Sequence, residues 1–318
     1  MKAAVVTAAG QLPVFTDFEQ PIAKEGQYLV RVAASALSQL ARAKASGTHY
    51  SSHAVFPFVA GVDGVGRLEN GQRVYFFSPQ PPFGALAEYT VVDAMQCVPV
   101  PDDLDDITAA AAAIPGMSCW AALVERAGFI KGETVLVNGA TGASGRLAVQ
   151  IARYLGAGKI IVTGRNPVAL EWLRSAGADV VISLDQSEDP LSAALAPHFA
   201  AGVDVVLDYL WGPSARVALI TAAKNLPEGR QLRFVQIGSM SGAEISLPAA
   251  VLRATAIQLM GSGIGSVPLP RLLHVVKQVL AAVIPAQLQV KTQAVPLAEL
   301  AGHWAQADSQ LRTVFTLA

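Results

Sequence analysis

The 318-residue chain has few thiols and few charges. Cys97 and Cys119 are its only cysteines. Two are too few for a disulfide framework or a cysteine-rich metal cluster, and the count suits a reducing compartment. Charged residues make up 15% of the chain and the formal net charge is -1. No basic block stands out, so nothing points to nucleic acid or an anionic membrane surface. The longest apolar-rich run, ITAAAAAIPGMSCWAALV, is mostly alanine and contains both Pro and Gly. We read no membrane span in it. The start, MKAAVVTAAGQLPVF, carries one lysine and a short apolar run, and it reads as a first strand and turn rather than a signal peptide. The expected address is the cytoplasm.

What is present is apolar text, 52% of the residues, enough to bury large cores without metal or disulfide staples. The first third is strand-like and punctuated. Short apolar runs in QYLVRVAAS, FVAGVDGVGRL, RVYFF and GALAEYTVV are separated by Gly, Pro and Asn, which predicts an irregular antiparallel sheet or partly open barrel. Acidic residues in PDDLDDITAAAAAI precede an alanine-rich stretch and mark a helix start, with another helical segment around 118–127. From Thr134 the rhythm becomes strand, helix, strand, helix. VLVNG, IIVTG, VVISL, VDVVLDYL, LRFVQIG and IQLMGSG are continuous apolar runs, as in parallel strands buried on both faces. Six of them alternating with helices predict a doubly wound parallel sheet. An amphipathic helix follows Pro270, and the strand-like tail is expected to rejoin the first domain.

The most informative stretch is VLVNGATGASGRLAVQIARYLGA. Gly139, Gly142 and Gly145 fall between a strand and a helix, and Ala143 and Ser144 keep the turn small. A helix N-terminus presents free N–H groups and a positive dipole end, which attract phosphate when no side chain blocks approach. The spacing differs from the standard G-x-G-x-x-G; its context between strand and helix is what points to a dinucleotide. NAD sites usually place Asp or Glu at the end of the second strand. Here that strand ends IIVTGRN, so Arg165 and Asn166 stand where the adenosine ribose is expected. A planar cation suits a 2′-phosphate, and the reading favours NADP(H). Asn166 can also cap the next helix, with Pro167 at its first position.

With these residues in view, the chain resembles the medium-chain dehydrogenase/reductase superfamily, and within it the zinc-free quinone oxidoreductase group that includes zeta-crystallin. GALAEYTVV is similar to the group's G-x-x-A-E-Y segment, and AIPGMSCWAAL to its A-x-P…T-A-x-x-A-L segment, with Ser118 in place of threonine. VQIGSMSG and MGSGIG occupy the places of the fifth and sixth strands and the turns after them. The resemblance implies an α/β architecture: a GroES-like, mostly-β catalytic domain from 1–114 and 266–318 around a Rossmann domain at 115–265. It also implies cofactor contacts from Ser118, Thr141, Thr163, Gly164, Leu210, Ile237, Gly238, Ser239, Gly263 and Ile264.

Relatives with catalytic zinc use Cys, a His-Glu pair and a second Cys or Asp. Ser38, Val62 and Ile114 stand at ligand positions here, and Val and Ile cannot bind a metal. His49 and His53 read as a solvated pair. The expected reaction is hydride transfer from NADPH to a quinone or an α,β-unsaturated carbonyl, with Tyr50 of SGTHY as first candidate acid and Ser38 as second. Phe56, Phe58, Phe76, Phe77 and Phe83 are candidate walls for an aromatic acceptor. The group's G-L-N-x-x-D stretch departs here to Ser38 and Ala41, which leaves the substrate open. Two alternatives remain: an enoyl-thioester reductase of the same fold, or a non-catalytic NADPH-binding sensor. No tyrosine has lysine four residues on, which excludes a short-chain reductase. The sixth strand is expected to pair across a homodimer.

Overall fold

The six apolar runs form one parallel sheet. Its strands are Thr134–Asn138, Lys159–Gly164, Val180–Ser183, Val205–Asp208, Leu232–Gln236 and Ile257–Gly261. Numbered in that sequence, they lie in the order 3-2-1-4-5-6, and every pairing is parallel. The order reverses between strands 1 and 4, and ligands of such sheets bind at that switch point, beyond the strands' carboxyl ends. The helices between the strands, Ala143–Tyr154, Pro167–Ser175, Glu188–Ala201 and Gly212–Asn225, cover the sheet. In the first, Leu147 and Ile151 are fully buried, the inward stripe of an amphipathic helix.

The computed structural model describes every residue except Tyr50, Ser51, His53, Ala54, 307–310 and Ala318. By contacts the chain divides into Met1–Ile114 with Leu269–Ala318, and Pro115–Pro268. The first of these units is mostly β. A three-stranded antiparallel sheet joins Lys2–Val6 to Val14–Asp17 and Phe58–Val59. A seven-stranded sheet includes Gln27–Ala36, Asp63–Arg67 and Arg73–Phe77, and the tail strands Thr292–Pro296 and Arg312–Thr316 complete one side of it. The register slips between Val32 and Ala34, the local irregularity that lets a strand bend. The helix Leu269–Ala282 also belongs here, with Leu272, Val276, Val279 and Leu280 buried.

One element differs from expectation. The two helical segments expected before and after Pro115 are continuous: an α-helix runs from Asp106 to Trp120 with Pro115 inside, and Ala121–Arg126 continues it as a π-helix. Proline removes a backbone donor and disfavours a helix interior. Burial wins here, because Ala109–Ala113 and Cys119–Leu123 are all buried. The run is long and apolar enough to cross a membrane by composition, and 72% of its most apolar window is buried inside the protein.

Candidate cofactor site

At the switch point the strands end on polar side chains. Asn138, Thr163 and Asp208 are aligned across strands 1, 2 and 4, and none is more than 2% exposed. Buried polar groups must find partners, and these find one another. The Thr163 hydroxyl donates to Asn138 Oδ1 at 2.6 Å and accepts from the Gly139 N–H at 3.1 Å. Asn138 Nδ2 donates to Asp208 Oδ1 at 2.8 Å. The Asp208 carboxylate accepts the N–H groups of Leu210 and Trp211 at 3.1 Å. Those bonds hold Trp211 at φ 55, a left-handed conformation that bulky residues rarely adopt. Burial pushes the Asp208 carboxyl up to about 6, against the pull of Asn138 and the two amides. The network fixes the turns after strands 1 and 4. The sequence reading did not single out Asn138 and Asp208.

The three glycines have different reasons. Gly139 has φ +86, and a β-carbon there would lie 2.6 Å from Leu210 Cγ. A β-carbon on Gly145 would lie 2.5 Å from Ala140 Cα, so this glycine lets the helix pack against its strand. Gly142 has neither reason. It takes the ordinary extended φ of -81 as N-cap of the helix Ala143–Tyr154, and a β-carbon there would meet nothing within 4 Å. Backbone strain and packing do not account for it. Open space above a helix N-cap fits a group that must approach the backbone, as a diphosphate does. The residues present thus fit a dinucleotide.

Strand 2 leads to the adenosine side. Gly164 is buried against Thr141, and Arg165 and Asn166 are exposed at the tip of the turn. Asn166 Oδ1 accepts the Ala169 N–H at 2.9 Å, with Pro167 at the first helical position. No carboxylate lies in the turn from 163 to 167. The other expected contacts fall on turns of the same unit. Ile237 and Gly238 donate their N–H groups to the Asp208 carbonyl, and Ser239 follows, exposed. The Gly263 N–H donates to Ser266 Oγ at 2.8 Å, in the turn that includes Ile264. Ser118 donates to the Pro115 carbonyl at 2.9 Å within its own helix.

The acceptor-side residues belong to the β-rich unit. Ser38 is buried and caps the helix Gln39–Ala45, its Oγ accepting from Ala41 N at 3.0 Å; its O–H remains able to donate. Tyr50 and His53 lie outside the described residues. A cleft of about 970 Å³ is lined by Ala41, Lys44, Val62, Phe18, Phe58 and Phe83 among others. Of the five candidate wall phenylalanines, Phe58 and Phe83 line it. Phe76 and Phe77 do not: they are buried core residues of the strand Arg73–Phe77. Phe56 packs on Phe58, with ring centroids 5.5 Å apart. Among the described residues, no group of three or more His, Cys, Asp or Glu side chains is placed to hold a metal.

Sequence reading also missed a buried polar cluster here. Asp63 is fully buried, and Tyr75 Oη donates to its Oδ2 at 3.2 Å. Burial pushes Asp63 up to about 7, opposed by the charge of buried Arg312. Arg312 comes from the far end of the chain, and no local pattern links the three.

The family model described as zinc-binding dehydrogenase matches residues 143–283. An Emericella nidulans protein named "Probable NADPH-dependent quinone reductase" is 30% identical, and the match covers 98% of each chain. The 2-methylene-furan-3-one reductase of Solanum lycopersicum is 31% identical over 57% of this chain and 52% of its own. Among solved structures, the quinone oxidoreductase from Thermus thermophilus, also determined in complex with NADPH, superposes with a TM-score of 0.80 at 27% identity, covering all of both chains. The chain belongs to the medium-chain dehydrogenase/reductase superfamily, in its quinone oxidoreductase group.

Proposed function

We propose that this protein is an NADPH-dependent, zinc-independent oxidoreductase that reduces a quinone or an α,β-unsaturated carbonyl. The observation that carries the reading is Gly142, a glycine that neither strain nor packing requires, at a helix N-terminus. The end-to-end likeness to the Emericella nidulans protein supports the same cofactor and acceptor class.

Bound NADPH supplies the hydride. The chain's own residues do the rest. The N–H groups at the start of the helix Ala143–Tyr154 would hold the diphosphate, and Arg165 would supply a cation for the 2′-phosphate. The Asn138–Thr163–Asp208 network holds the turns that carry these groups. The acceptor takes the hydride and gains negative charge on its oxygen, and a donor there completes the two-electron reduction with a proton. Tyr50 is assigned that donation on the resemblance of SGTHY, with Ser38 as second donor. Val62, where zinc relatives place a metal ligand, is a cleft residue with no donor atom.

We also propose that the protein is a cytoplasmic homodimer. Strand 6, Ile257–Gly261, is at the edge of its sheet with Leu259 40% exposed, and such edges invite pairing. Sedimentation at micromolar concentration should give twice the monomer mass, and a monomer would contradict the dimer.

The test of activity is loss of nicotinamide absorbance with NADPH against benzoquinone, naphthoquinone, phenanthrenequinone, short enones and crotonyl-CoA, with NADH in parallel. Turnover with a quinone or enone is expected. Turnover confined to crotonyl-CoA would make the protein an enoyl-thioester reductase. Binding without turnover on any acceptor would favour a sensor.

A further inference from the structure

The cleft of the β-rich unit is walled mostly by carbon: Phe18, Phe58, Phe83 and several prolines line it. A pocket of that kind orients its ligand through a few polar groups. Among the described residues, the charged side chains that line it are Asp17, Glu19 and Lys44. They stand in different surroundings. Asp17 and Glu19 are exposed, and Asp17 pairs with Lys2 at 3.0 Å. Water and salt screen such carboxylates. Lys44 is half-buried, and burial lowers the pKa of its ammonium. A charge drawn out of water acts more strongly than one left in it. The sign that a ligand meets inside the cleft is therefore positive.

That charge is not neutralised within the protein. The Lys44 ammonium has no ion-pair or hydrogen-bond partner among the described residues. It sits in the last turn of the helix Gln39–Ala45, where the dipole favours a cation, so the charge can stand there without a counter-ion. Its neighbours do not share the role. Arg42 donates to the Gln306 carbonyl at 2.6 Å. His49 is held below its ordinary value by burial and by the Lys44 charge, so it adds no cation at neutral pH. Two hydroxyls add to the polar lining, Ser52 and Ser78. Ser52 Oγ is buried without a partner among the described residues. Ser78 has φ 58, a conformation that non-glycine residues adopt where their surroundings impose it. Its N–H donates to the carbonyl of Val62, another cleft residue, at 2.7 Å.

We propose that Lys44 is a specificity residue for the acceptor, and that the cleft takes an aromatic or conjugated acceptor carrying a carboxylate or another acidic group. The apolar walls hold the ring system. The ammonium is the counter-ion of the acidic group, and the unpartnered Ser52 hydroxyl is a second donor. The bound anion in turn offsets the cost of an unpaired cation drawn out of water. The inference rests on the reductase reading above and adds the charge of the substrate.

The first test is binding. Calorimetric titration of the whole chain, with NADP+ present, compares 2-naphthoate with 2-naphthamide, which has the same ring and no charge. Wild type should bind 2-naphthoate about tenfold or more tightly, the effect of one charge-assisted interaction. Lys44→Met should bring the two ligands to within about threefold of each other. Lys44→Arg should keep part of the preference, and Ser52→Ala should fall between wild type and Lys44→Met. Raising ionic strength should shrink the wild-type preference. Equal wild-type affinity for both ligands, no measurable binding of 2-naphthoate, or a preference that survives in Lys44→Met would each overturn the inference. The wild-type comparison stands even if a variant does not fold. The second test is turnover with NADPH of benzalacetone bearing a para carboxylate, against its methyl ester. The acid should have the lower KM in wild type, and Lys44→Met should raise that KM about tenfold with kcat nearly kept. A fall in kcat shared equally by acid and ester would overturn the inference and make Lys44 a proton donor. If neither acid, ester nor any neutral quinone is turned over, the reductase reading itself falls; if neutral acceptors are turned over and the acid gains nothing, this inference alone falls.

Discussion

The two units of this chain encode their sites in different ways. In the parallel-sheet unit, the phosphate-binding turn is one continuous segment of sequence, and its neighbours recur at regular intervals along the alternating strands. In the β-rich unit, the polar groups that matter meet only in three dimensions: Asp63, Tyr75 and Arg312 share a buried cluster. A local motif tolerates substitution at its rim and fails at its glycines. A dispersed cluster has no motif, and it answers to pH and burial.

The largest expected effect sharpens the local side. Gly145→Ala places a methyl group 2.5 Å from Ala140 Cα, against backbone that cannot yield. It should cost about 1–3 kcal/mol or more of stability, read as a lower melting midpoint, with NADPH binding lost alongside. Wild-type melting would break the contrast. Next comes Tyr50→Phe on the acceptor side. If Tyr50 donates the proton, kcat falls about a hundredfold while NADPH affinity stays put. Full turnover would remove its acid role.

A smaller effect falls on the cofactor's rim. Arg165→Ala should raise the Michaelis constant for NADPH about tenfold and leave NADH nearly unchanged; equal shifts for both cofactors would defeat the assignment. The last effect belongs to the dispersed cluster and is read in pH, not in cofactor affinity. Asp63 has a carboxyl raised from 3.8 to about 7 in the folded protein. Between those values the folded state keeps a proton that the unfolded state has released, so stability falls as pH rises through that window and then levels off. Asp63→Asn should flatten this part of the melting-against-pH profile. A slope unchanged in the variant would assign it to other groups.

These contrasts explain what could be read from sequence. All six parallel strands were legible because each is a continuous apolar run bounded by glycine or a polar turn, and Asn166 and Pro167 marked their helix start through local chemistry. Gly142 was legible as part of a motif. That it differs in kind from Gly139 and Gly145 was not, because the difference lies in what surrounds each one. Asn138 and Asp208 were hidden for a related reason: their partnership follows from the 3-2-1-4 strand order, which brings together residues 70 positions apart. Pro115 misled because a proline breaks helices on average, and burial of the flanking alanines overrode it. Phe76 and Phe77 show the same limit. An aromatic residue reads alike in a core and in a cleft wall until its strand is placed.

The most direct test is calorimetric titration of NADPH into Gly142→Val, alongside its thermal melt. The account predicts a folded variant that loses about 1 kcal/mol as the N-cap glycine is replaced, since a β-carbon there meets nothing within 4 Å, and NADPH affinity reduced about a hundredfold or more as the diphosphate loses its approach to the helix N-terminus. Unchanged affinity in a folded variant would contradict it, because the space above Gly142 would then hold no part of the cofactor.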